Sequence, residues 1–288
     1  MKTSLDCFPC FVRQALSAAR MVSADPAVHE RIVREVLLWV GEMALDQPPP
    51  VLSQRIHRRL REILGMVDPY REAKDQQNRM AMSILPELKA EIEAAQNPLA
   101  MAVRIAIAGN VIDMGVYSNM TESNVRESVS QALAKPFVGD RCGFSKTVLE
   151  AKRILYLTDN AGEIAFDRLL IEQISPTRVT VAVRGTPVIN DATMADARAV
   201  GLHEIVEIID NGSDAPGTLL DDCSQEFRRR FTEADLILAK GQGNFETLND
   251  APGNIIFLFM VKCPVIAIHA GMPIGTHILA RSNAGNLN

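Results

Sequence analysis

From Phe11 to about Asp140 the apolar positions follow helical spacing. Ile32, Val33, Val36, Leu37 and Val40 are set apart by steps of three and four, and Ile56, Leu60 and Leu64 recur every four, each pattern marking one buried stripe on a helix. Breaks fall at Asp25-Pro26, at Gln47 to Pro50 and at Asp68-Pro69, where proline cannot continue a helix, so the spacing predicts four to six helices. Ala100 to Val111 is apolar almost throughout until Asn110 and Asp113 interrupt it. A helix apolar all round is a buried one, and an amide and a carboxylate at its end need partners inside the protein. They form either a local hydrogen-bonded pair or cap near Gly115, or polar groups that the helix end presents to a site built by the second half.

Beyond Lys152 the pattern changes to short runs apolar on both faces. Ile154 to Leu157, Val179 to Val183, Ile205 to Ile209, Leu236 to Ala239, Ile255 to Phe259 and Val265 to Ile268 read as strands of a covered parallel sheet. Helices fit between them at Gly162 to Gln173, Ala192 to Val200 and Asp222 to Thr232. The predicted fold class is α/β: an N-terminal α-helical region packed on a doubly wound, mainly parallel, Rossmann-like sheet. Ligands in such sheets bind where the loops at the carboxyl ends of the strands converge.

Length and charge refine this picture. A chain of 288 residues holds one large domain or two modest ones, here divided as 1–145 and 146–288. The formal charge of −5 makes nucleic acid a poor partner. Residues 1–150 carry 18 basic and 18 acidic side chains, so the whole deficit falls in the second half. The N-terminus has no apolar signal core, and the longest apolar run, Ile255 to Val261, is too short for a membrane span, so a soluble cytoplasmic protein is expected. Five cysteines fit reduced thiols better than a disulfide framework. Cys7 and Cys10, just before the first predicted helix, are spaced for a structural, metal-binding or redox role.

Three strand-end segments carry candidate chemistry. Thr158-Asp-Asn-Ala-Gly-Glu163 offers oxygen ligands beside a helix start, although Asp159 or Asn160 could simply cap that helix. Arg184 to Thr193 brings Asn190 and Asp191 to the same sheet edge, again as caps or as ligands. Asp159, Asn160 and Asp191 together suit a divalent cation. Ala239 to Glu246 reads as a loop in which two glycines admit a phosphate and Lys240 faces it, with Lys262 as a second cation, or else as a plain glycine turn. The Gly-x-Gly-x-x-Gly spacing of dinucleotide sites is missing from the first of these segments. An acidic region that takes an anion over its own carboxylates needs an intervening cation, which points to metal-assisted phosphoryl transfer or hydrolysis.

Five segments in order, Gly109-Asn-Val-Ile-Asp113, Asp159-Asn-Ala-Gly-Glu163, Asn190-Asp-Ala-Thr193, Gly212-Ser-Asp-Ala-Pro-Gly217 and Lys240-Gly-Gln-Gly-Asn-Phe-Glu246, resemble the damage-control phosphatase family, and the likeness runs from Asp6-Cys7-Phe-Pro-Cys10 to the last strand. The Cys7/Cys10 pair matches its mostly prokaryotic branch. The resemblance implies a phosphatase dependent on a divalent metal (Mn, Co, Ni or Mg) that hydrolyses phosphomonoesters of small metabolites, sugar phosphates or damaged phosphometabolites. It implies Asp159, Asn160 and Asp191 as metal ligands, and Asp159 and Lys240 as catalytic groups. Substrate contacts would come from Asn110, Asp113, Glu163, Gly241, Gln242, Gly243, Asn244, Glu246 and Lys262. Eukaryotic members have aspartate where Gln242 stands and arginine where Glu246 stands, so their substrates and reported carboxyl methyltransferase activity do not transfer. Either a metal-bound water or the Asp159 carboxylate could be the nucleophile. A regulatory module that binds a nucleotide or phosphometabolite without turnover is the alternative function.

Overall fold

The computed structural model describes residues 1–111 and 122–282. Six α-helices lie within residues 1–133 among the described residues: α1 (Cys7–Val22), α2 (Pro26–Glu42), α3 (Pro50–Leu64), α4 (Arg71–Ala94), α5 (Pro98–Ala108) and α6 (Glu122–Leu133). The predicted breaks are where the chain turns. Asp25 caps α2 by accepting from Ala27 N at 2.9 Å, and Pro26, Pro50 and Pro98 open their helices, where a missing N–H costs nothing. Cys7 and Cys10 differ from expectation: they lie within the first turn of α1 rather than ahead of it, as free thiols, with Cys7 buried.

The remaining elements are β1 (Phe137–Gly139), α7 (Arg141–Glu150), β2 (Ile154–Leu157), α8 (Glu163–Gln173), β3 (Val179–Val183), α9 (Met194–Ala199), β4 (Glu207–Asp210), α10 (Gln225–Glu233), β5 (Leu236–Lys240), α11 (Gly241–Leu248), β6 (Ile255–Met260), α12 (Pro264–Ala270) and β7 (His277–Arg281). They form one sheet of seven strands in the order β1-β7-β6-β5-β2-β3-β4. All neighbours are parallel except β6 and β7. Two readings of the sequence are corrected. Val265 to Ile268 is not a strand but part of α12, because Pro264 opens a helix there and four apolar residues alone fit either element. The strand expected from Ile205 begins only at Glu207, after a short 3₁₀ turn at Leu202–Glu204.

Strand alternation divides the core. Ile154, Tyr156, Leu236, Leu238, Val181 and Leu258 face a cluster shared with α4, α5 and α8. Leu155, Leu157, Ile237, Ala239 and Phe257 face a second cluster with α10, α11 and α12. A third cluster, with Phe11, Ala15, Ile32, Val36, Ile56 and Leu60, belongs to α1, α2 and α3. No helix among the described residues is long and apolar enough to cross a membrane.

Candidate active site at the sheet switch point

The chain leaves β2 toward β3 and β4, then returns to build β5 on the other side of β2. Segments leaving β2 and β5 therefore diverge and open a crevice at their carboxyl ends. Asp159 stands just past β2, and Gly241 just past β5. Gly241 has φ of 78°, and a Cβ there would overlap the Asp159 carboxylate, so this acid rests on bare backbone.

Around Asp159 the side chains interlock. Asn110, in the 3₁₀ turn Gly109–Val111 that ends α5, donates from Nδ2 to Asp159 Oδ2 at 3.0 Å and to Glu163 Oε2 at 2.8 Å. Asn160 Nδ2 donates to the same two oxygens, each at 2.9 Å. The loop after β3 is zipped to this one through backbone: Ala161 N donates to Asn190 O and Ala192 N to Asp159 O, both at 2.7 Å. Asn160 and Asp191 face each other across that bridge. The structure thus brings Asp159, Asn160 and Asp191 together, with Asn110 reaching in from the helical region. Arg184, 4% exposed, donates from Nε to Asp191 Oδ2 at 2.7 Å.

Negative charge is concentrated here. Burial, then the neighbouring Glu163 and Asp191, hold the Asp159 carboxyl well above its ordinary range, with Lys262 and Arg184 pulling the other way. Burial also raises Asp191, although its Arg184 partner opposes this. Asn110 Oδ1 is buried without a hydrogen-bond partner among the described residues. Two buried acids for which burial disfavours the charged form, beside an unsatisfied amide oxygen, form an oxygen donor set that suits a divalent cation.

The Lys240 segment corrects the sequence reading. No loop intervenes after β5; Lys240 ends the strand and Gly241 begins α11. Lys240 is 0% exposed, and its ammonium donates to Ala106 O at 2.8 Å, Glu163 Oε1 at 2.7 Å and Asp167 Oδ1 at 2.5 Å. Burial disfavours that charge, but Asp167 and Glu163 outweigh it and raise the lysine's pKa. All three donors are spent, so Lys240 braces the acids from within instead of offering its charge to a phosphate. Glu163, also fully buried, is the hub between Lys240, Asn110 and Asn160.

Asn244 is likewise a brace: its Nδ2 donates to Thr158 O and Lys240 O, while Oδ1 accepts from Thr218 Oγ1 at 2.8 Å. Gly243 lets α11 lie against Pro216 O, where a Cβ would collide. Gln242 donates to Glu246 Oε1 at 2.9 Å, and burial pushes the Glu246 carboxyl up to about 7 against that bond and the N-terminal ammonium. Lys262, half-buried just past β6, is within electrostatic reach of Asp159. Asp113 lies outside the described residues. Asp167, which sequence reasoning missed, sits four residues after Glu163 on the same helix face, a spacing that could have revealed it.

An open, mainly parallel sheet with a buried acid–amide cluster at its switch point defines an α/β protein built to handle a small ligand. Residues 3–278 match the damage-control phosphatase ARMT1-like domain, and the chain belongs to that family. A damage-control phosphatase of Archaeoglobus fulgidus is 36% identical, with 96% of this chain and 97% of that one aligned. One from Pyrococcus horikoshii is 33% identical over 98% of this chain and 99% of its own. The crystal structure of a DUF89-family protein from Pyrococcus horikoshii superposes with a TM-score of 0.88 at 33% identity, covering 98% of this chain and 99% of that one.

Proposed function

We propose that this damage-control phosphatase family member is a metal-dependent phosphoric monoester hydrolase acting on small phosphorylated metabolites, sugar phosphates or damaged phosphometabolites. The supporting observation is the buried convergence of Asp159, Asn160 and Asp191 at the switch point, where burial and neighbouring carboxylates raise both acids. These three side chains would hold the divalent cation, and their hard oxygen donors suit Mn²⁺, Co²⁺, Ni²⁺ or Mg²⁺. Such a cation, when bound, polarises a phosphoryl oxygen and offsets the charge that develops on it.

The chain's own residues supply the rest. Asn110 and Asn160 fix the Asp159 carboxylate by donating to its Oδ2, and Arg184 fixes Asp191 by donating from Nε to its Oδ2. Lys262 brings positive charge toward Asp159 and would draw the substrate anion to the same place. Lys240 holds Glu163 in place through Oε1, so that Oε2 accepts from both amides.

The test is release of phosphate from p-nitrophenyl phosphate and from sugar phosphates with each cation in turn and with chelator. Turnover should require a divalent cation, and Asp159→Ala should lower it by roughly 10²- to 10³-fold, the scale on which preorganised electrostatic groups act. Full turnover in excess chelator, or in Asp159→Ala, would overturn the proposal. Tight binding of a phosphometabolite with no phosphate release under any cation would assign a binding module instead.

A further inference from the structure

We propose that Asn78, on α4 of the helical region, is a positioning residue that sets the spacing between the two ligand-bearing loops; this rests on the reading that Asp159, Asn160 and Asp191 hold a divalent cation. Asn78 is 2% exposed and bonds a different segment with each end of its amide, the N-cap of α8 and the first turn of α9. Its Oδ1 accepts from Gly162 N at 2.8 Å, two residues beyond Asn160. Its Nδ2 donates to Asp196 Oδ1 at 2.9 Å.

Asp196 is what ties this bond to the second loop. It is fully buried, and its Oδ2 accepts from Thr193 N at 2.8 Å and from Thr193 Oγ1 at 2.7 Å in a capping box. That box fixes the chain two residues past Asp191. Arg71 and Lys74, on the same face of α4, reach Asp196 as well, each at 2.8 Å. One helix therefore grips one end of both loops, and Asn78 alone touches both. Gly162 has φ of 74° and is the N-cap of α8, so its buried N–H has no partner within the helix. Loss of the Asn78 oxygen would leave that donor unpaired and free the loop to move relative to Asp191.

Residues that orient metal ligands from behind typically affect metal affinity about 10- to 100-fold. The experiment is a Mn²⁺ titration followed by electron paramagnetic resonance of the free ion, which needs no turnover. Wild type, Asn78→Leu and Leu88→Ala are compared. Leu88 is a buried residue of the same helix that packs in the apolar core, so its variant reports loss of stability alone. Asn78→Leu should weaken Mn²⁺ binding about tenfold or more, whereas Leu88→Ala should lower the melting temperature with Mn²⁺ affinity unchanged. Equal affinity in Asn78→Leu and wild type overturns the proposal, as does an equal loss in Leu88→Ala. Should Asn78→Leu not fold, Arg71→Gln, which removes one bond to Asp196 at a half-exposed site, decides: a smaller loss of affinity supports the proposal and no loss overturns it. Absence of Mn²⁺ binding in wild type overturns the metal reading itself together with this inference, an outcome distinct from a silent Asn78 variant.

Discussion

The helices α1 to α3 and the helices α4 and α5 belong to one run of sequence but to two different physical objects. The first three bury their stripes against one another, in a cluster with Phe11, Val36 and Leu60 at its centre. The other two have no separate core; Ile84, Leu88, Val103 and Ile107 pack in the same cluster as Tyr156 and Leu238 of the sheet. Their polar contributions differ accordingly. From α3 come Gln54, Arg58 and Arg61, which all donate to Asp214 in the loop after β4, and Arg61 also donates to Pro187 O in the loop after β3. From α4 and the turn that ends α5 come Asn78 and Asn110, which bond the loop after β2 that carries Asp159. A helix that shares the sheet's core can place a side chain on the Asp159 carboxylate itself, whereas one with its own core reaches only the flanking loops.

Substitutions can pull this contrast apart. The largest expected effect is at Lys240, where Lys240→Met leaves Glu163 and Asp167 buried without their counter-charge. Stability should fall by about 3–5 kcal/mol in urea unfolding, through the sheet and α5 together. Gly241→Ala comes next, since the new Cβ must displace the Asp159 carboxylate. Phosphatase turnover should drop by about 10²-fold, because a displacement of ~1 Å at a reacting group costs that much, with the far-ultraviolet spectrum unchanged.

Asp214→Asn tests the outer grip. Burial would raise the Asp214 carboxyl, but hydrogen bonds from Arg58, Arg61 and Gln54 outweigh it and hold the group below its ordinary range. A depressed folded pKa gives stability that is complete above the unfolded value of about 3.9 and is lost as pH falls through the folded value beneath it. The variant should lose about 2 kcal/mol at neutral pH and show a shallower acid limb in stability measured against pH. Hydrogen exchange should quicken in α1 to α3 and stay slow in β2 and β5. The smallest effect is Asp25→Ala, which removes the cap of α2 at a cost of about 1 kcal/mol; turnover should be unaffected, and any large loss would join α1 to α3 to the site more closely than their separate core suggests.

The legible parts of the fold were those whose burial repeats along the chain. β2, β3, β5 and β6 are buried on almost every residue and read as strands from sequence. β1 has three residues and carries no strong pattern, while β4, exposed at both ends, was read as a strand but placed two residues early. Asp159, Asn160 and Asp191 could be found because strand-end loops are where acids gather in such sheets. Lys240 was found for its charge and misread for its direction, yet the period of two places it on the face of Leu236 and Leu238, toward α5 and α8. Asn78 left no local signal at all: its partners lie 84 and 118 residues away, and nothing in a helical polar position announces a tertiary bond.

The Lys240 contact also orders events in time. Its ammonium meets the carbonyl of Ala106 across 134 positions of chain, and meets Glu163 and Asp167 across 77 and 73. During synthesis α4, α5 and α8 emerge before any of them can be given their lysine, and closure of such long loops is slow. The two acids of α8 cannot be buried cheaply until β5 has been made. Low-cost burial of these acids thus depends on β5, the strand whose last residue both fills the core and braces the reactive edge.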